Sequence, residues 1–110
     1  MYKSTIEALS VQKESEREPD PAELRVSSST NPNKLSFSII EKLRKYGYAQ
    51  IRAIGAPAIK NAMFGYTVAR SKLVANGVDA ICYTSFFSVI IESEDGEKTL
   101  PGLLVTVENR

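Results

Sequence analysis

The chain contains no histidine, no tryptophan and one cysteine, Cys82. Without histidine, the commonest general base at neutral pH is excluded, and with it every Ser–His or Cys–His nucleophile pair. One cysteine and no histidine leave no donor set for a Cys/His zinc site. A lone cysteine forms no disulfide within the chain, which fits a reducing, cytoplasmic compartment. No stretch approaches the roughly 18 apolar residues of a membrane span. "MYKSTIEALSVQKESEREPDP" at the N-terminus lacks the apolar core of a signal peptide. Neither GxGxxG nor GxxxxGKS occurs, so no dinucleotide fingerprint and no Walker loop is present. The sequence predicts no enzyme, no cofactor and no metal site.

Charge of one sign is also missing, with 14 basic and 13 acidic residues. The balance conceals an asymmetry. Residues 1–22 carry three basic and five acidic side chains, and the remainder carries eleven basic and eight acidic ones. A mildly basic domain behind an acidic arm is compatible with a polyanionic partner.

A chain of 110 residues holds one domain. Residues 1–22 read as a flexible acidic arm, because "QKESEREPDP" offers nothing apolar to bury. This arm is a candidate for docking a protein partner. The domain covers 23–110. "ELRVSSS" alternates as a strand. "TNPNK" opens a helix, with Asn31 as cap and Pro32 at the first helical position. Leu35, Ile39, Leu43 and Tyr46 share one face, and Gly47 ends the helix. "AQIRAIG" is a second strand and "APAIKNAMFGYTVARSKLVAN" a second helix. "VDAICYTSFFSVIIES" and "KTLPGLLVTVE" pair through the Asp-Gly turn, with a bulge or an edge near Pro101. The order β-α-β-α-β-β predicts a two-layer α/β sandwich: a four-stranded mixed sheet with two helices on one face.

Ligands of open α/β sheets gather beyond the carboxyl ends of parallel strands. Two loops share that edge, Ser27–Lys34 and Gly55–Lys60, and both enter helix N-termini that favour an anion. Lys34 and Lys60 are the candidate phosphate contacts, joined by Arg52 if its strand face is exposed. Ser29, Thr30 and Asn31 are the candidate positioning groups. DNA or RNA is the polyanion in view. Phe37, Phe64 and Val68 lie off the main apolar stripes and are candidate interface residues, most simply of a homodimer. A protein–protein interaction or scaffold module is the alternative. Cys82 reads as a core residue, and Arg70 as a structural partner of Asp79.

The pattern "LRVSSSTNPN…AQIRAIGAPAIKNA…VARSKLVANGVDAICYTSF…DGEKT…LLVTVENR" resembles the stage V sporulation protein S family over residues 23–110. That family in turn resembles Alba, an archaeal chromatin and RNA-binding fold. The resemblance implies a β-α-β-α-β-β domain, usually dimeric, in a small nucleic-acid-binding or regulatory protein linked to sporulation. Lys60 and Asn61 stand where the family tends to have Asn and Gln. Phe64 stands where it tends to have Lys, which exchanges charge for apolar surface. The hairpin carries Glu92, Glu94, Asp95 and Glu97 against Lys98, and these carboxylates repel phosphate.

Overall fold

The computed structural model describes residues 18–110 and the backbone of residues 11–13. Its elements are β1 (Val11–Lys13), β2 (Glu23–Val26), α1 (Pro32–Tyr46), β3 (Tyr48–Ile54), α2 (Ala56–Ala75), β4 (Ala80–Ser93) and β5 (Gly96–Asn109). The sheet order is β1-β4-β5-β3-β2. β5 is antiparallel to both its neighbours, and the other pairings are parallel. The four strands and two helices expected from the sequence are present in the expected order. Val11–Lys13 adds a fifth strand, which nothing in the sequence pattern announces. The rest of the expected arm before Glu18, residues 1–10 and 14–17, lies outside the described residues.

Local chemistry explains the ends of α1. Asn31 Oδ1 accepts from the Asn33 and Lys34 amides at 2.8 and 3.3 Å, supplying partners the helix itself cannot. At the other end Gly47 takes φ +83°, and its N–H reaches Leu43 O at 2.9 Å. Arg44 and Lys45 sit in the last turn, where the helix dipole favours cations. Leu35, Ile39 and Leu43 face the sheet as the helical spacing requires, while Tyr46 stays partly exposed beside Lys42 and Lys45.

The core lies between both helices and one sheet face. Ala49, Ile51 and Ala53 of β3 alternate inward, with Val105 and Val107 of β5 beside them. Each fully buried Ile or Val there contributes about 1.5–3 kcal/mol over exposure. Helix α2 presents small residues inward, Ala58, Ala62, Gly65 and Ala69. That smallness lets the helices approach closely: a Cβ on Gly65 would lie 2.4 Å from Leu35 Cδ2. Cys82 packs half-buried against this core, as expected of it.

β4 and β5 keep one register from Ala80↔Asn109 to Ser93↔Gly96, so no bulge intervenes. Pro101 instead takes an edge position. Its carbonyl accepts from the Gly55 N–H at 3.3 Å, just past the end of β3. Its nitrogen points the same way, where no strand needs a donor. At the sheet's start, β4 is held by a charge cluster. Asp79 pairs with Arg110 at 2.5 Å and with Arg70 at 3.5 Å.

The packed domain reaches back to Asp20. Its carboxylate accepts from Tyr48 Oη at 2.8 and 2.9 Å and from the Ala22 amide at 2.8 Å, and Ala22 is fully buried. The Asp20 carboxylate raises the Tyr48 phenol above its ordinary value of 10.0. A phenol that holds its proton more tightly in the folded state favours folding below the unfolded value. That contribution is lost as pH rises through the folded value. Urea unfolding from about pH 9 to 11 should therefore show an alkaline loss of stability that Tyr48→Phe reduces. An identical pH profile in the variant would refute this coupling.

Candidate nucleic-acid interface

The loops after β2 and β3 lie at the same edge because both strands are parallel neighbours. A side chain that the spacing does not single out fastens them. Asn61, buried on the second turn of α2, donates through Nδ2 to Ser27 O and Ser28 O at 3.1 Å each. It ties the first loop to the helix that follows the second. The only signal for it was its polarity on an otherwise apolar helix face.

The first loop is shaped by its own hydroxyls. Thr30 Oγ1 accepts from the Ser27 amide at 2.9 Å, and Ser27 Oγ accepts from the Ser29 amide at 3.2 Å. Ser27 Oγ also meets Ser29 Oγ at 3.0 Å. Asn31 caps α1, so the Asn33 and Lys34 amides are engaged within the chain. Ser29, Thr30 and Asn31 thus hold the loop's form, and Thr30 and Asn31 do so as acceptors. Gly55 begins α2 at φ +89° with no side-chain cap, and Pro57 brings no amide hydrogen. Lys34 is exposed in the first turn of α1, and Lys60 is exposed at the start of the second turn of α2.

Arg52 is placed differently from the other candidates. The condition for it to join them, an exposed strand face, is not met. Its side chain points away from the helices and is 8% exposed. Its guanidinium lies 3.9 Å from the centre of the Phe87 ring, a cation–π stack. Phe87 in turn covers Gly102, its cross-strand partner, where a Cβ would lie 2.2 Å from Phe87 Cζ. Gly102, Phe87 and Arg52 therefore form a stacked unit on the sheet, and Arg52 is corrected from phosphate contact to packing residue.

The three candidate interface residues follow one seam. Phe64, Val68 and Lys72 recur every four residues along α2, one below another. Lys72 Nζ lies 3.5 Å from the centre of the Phe37 ring and donates to Ser36 Oγ at 2.9 Å. Phe37 is 64% exposed and Phe64 55%. A groove of about 560 Å³ continues the seam, lined by Phe37, Ile40, Glu41, Arg44, Lys72 and Asn76. The stretch "SFFSVII" is apolar on both faces of its strand and announces surplus apolar surface, and on β4 it leaves Phe86 76% exposed. Among the described residues no group of acidic, cysteine or histidine side chains could hold a metal ion. Nor is any described helix long and apolar enough to cross a membrane.

A mixed sheet covered on one face by two parallel-connected helices defines a small α/β domain of Alba-like fold. The structure of Alba from Thermoplasma volcanium matches it with a TM-score of 0.62 at 14% identity, over 77% of this chain and 99% of that one. Identity that low speaks for the fold alone. The family model for stage V sporulation protein S matches residues 22–108. The chain belongs to the stage V sporulation protein S family.

Proposed function

We propose that this protein is a small, non-enzymatic regulatory protein that binds the sugar-phosphate backbone of DNA or RNA and acts as a homodimer. The observation that carries the reading is the shared edge. Asn61 fixes the loop before α1 against α2, and each helix carries an exposed lysine near its start, Lys34 and Lys60. Phosphate contacts of this kind position a protein on nucleic acid without reading bases. Two lysines per protomer are a modest endowment, and a dimer doubles it. The acidic hairpin extends past the end of β3 on this same side of the sheet, so its carboxylates oppose a polyanion there and the two lysines must outweigh them.

Fluorescence anisotropy with short labelled duplexes and single strands, at increasing salt, tests the reading. Affinity should fall steeply as salt rises, and Lys34→Ala or Lys60→Ala should each reduce the slope by about one. Absence of binding at about 50 mM salt would end the reading.

The exposed Phe37–Phe64 seam favours a second reading, an interaction module that has exchanged charge for apolar surface. Under it, Phe64→Lys abolishes self-association or partner capture while nucleic acid binds neither form. Light scattering that gives the same mass for Phe64→Lys and the unaltered protein would remove the seam as the self-association surface.

A further inference from the structure

The strand β1 occupies an unusual seat. It pairs in parallel with Ser88–Ile90 of β4, at the edge opposite β2. Three residues of parallel pairing make a weak hold. The rest of that edge, Ala80–Phe87, has no strand beside it among the described residues. An open edge of this kind is a template for another strand.

Chain reach bears on which β1 takes the seat. β1 and β2 lie four strand spacings apart, about 19 Å. Lys13 is level with Ile90, whereas Glu23 is level with Tyr83 through Gln50 and Thr106. That offset is about 23 Å along the sheet, which makes the direct separation about 30 Å. Asp20–Glu23 is a turn closed by the Glu23 amide on Asp20 O at 2.9 Å, and such a turn covers at most about 7 Å. About 23 Å then remains for the seven steps from Lys13 to Asp20, whose limit is about 25 Å. A path over the side chains of the sheet is longer than the direct one. Parallel strands ordinarily need a crossover of about a dozen residues even as near neighbours. Here nine residues, 14–22, serve strands at opposite edges. The connection within one protomer has almost no slack, and short connections without slack invite exchange between copies.

We propose that β1 is exchanged: Val11–Lys13 of each copy pairs with Ser88–Ile90 of the other in a closed two-fold dimer. The occupant of the β4 edge is the N-terminal segment of a second copy. The same backbone pairing forms, and the reach limit disappears because the partner's position is free to meet the segment. Exchange of an identical element is a low-cost route to a closed dimer. This inference stands apart from nucleic-acid binding and does not use the Phe37–Phe64 seam.

Disulfide trapping tests it in the full chain carrying Cys82→Ser, Val11→Cys and Ser88→Cys, since positions 11 and 88 are register partners. After mild oxidation, the exchanged form gives a covalent dimer on a non-reducing gel. An internally linked monomer would overturn the proposal, and so would the absence of any link. A second arm guards against a folding defect in the triple variant. Two Cys82→Ser chains of different tag length, one with Val11→Cys and one with Ser88→Cys, are mixed before oxidation. A disulfide-linked pair of one long and one short chain is expected, and chains that stay unlinked overturn the proposal.

Discussion

Gly65→Val should lower the unfolding free energy by about 3 kcal/mol. The new Cβ would lie 2.4 Å from Leu35 Cδ2 and 2.8 Å from Leu35 Cγ, and 3.2 Å from Leu35 Cβ. The last contact matters most, because a Cβ moves only with its helix. Rotating the Leu35 side chain alone cannot make room, so α1 must shift from α2 or from the sheet. Valine then adds two methyl groups beyond that Cβ. Helix propensity works the other way and favours a side chain over glycine by about 1 kcal/mol. Gly65→Ala should therefore cost clearly less than Gly65→Val. For a domain of this size, 3 kcal/mol corresponds to a fall in Tm of more than about 10 °C. Adding Leu35→Ala should return part of the loss, since the two residues share one contact. Chemical denaturation of the two single variants and the double variant measures this. Additive effects in the double variant would contradict the close approach.

Asn61→Leu should cost about 2 kcal/mol, and its effect should extend to the loop. The substitution keeps the branching at Cγ but deletes both hydrogen bonds to Ser27 O and Ser28 O. Those carbonyls belong to exposed residues and can turn to water. Their release costs less than burying them unpaired, but the loop loses its fastening to α2. Amide hydrogen exchange should accelerate across Ser27–Asn31 and stay unchanged in β3 and β5. Nucleic-acid affinity should fall although Asn61 is buried, because the first loop, which leads to Lys34, is no longer held against α2. Asn61→Gln, one methylene longer, should recover little. Unchanged exchange in the loop would show that Asn61 does not hold it.

The architecture was legible because its signals are local. Asn31-Pro32 and Gly47 mark both ends of α1 by capping chemistry, and Leu35, Ile39 and Leu43 mark its buried face. The alternation of Ala49, Ile51 and Ala53 fixes which face of β3 meets the helices. The candidate edge was legible to the same degree, since parallel strands followed by helices set both loops there. Cross-strand and helix–loop contacts were not legible. Nothing local to Arg52 announces that Phe87, thirty-five positions on, will cover it, nor that Gly102 makes the room. Asn61 reads as an ordinary polar helix residue until the loop before α1 is seen against it. The pairing of Val11–Lys13 with β4 is equally non-local, and three residues are too few to carry a periodic pattern. Ser29, Thr30 and Asn31 show a further limit. Composition located them in a loop, but the structure shows that Thr30 and Asn31 satisfy backbone amides while the Ser29 hydroxyl meets Ser27 Oγ.

The central claim is that the helix-entry edge meets phosphate. Its most direct test is an amide NMR titration of the isotope-labelled full chain with a short DNA duplex and, separately, an RNA strand at low salt. The account predicts that the first and largest shifts fall on Ser27–Lys34 and Gly55–Lys60, with little change in Glu92–Lys98. Shifts centred on the Phe37–Phe64 seam or on the hairpin, or no shifts with either nucleic acid, would contradict it.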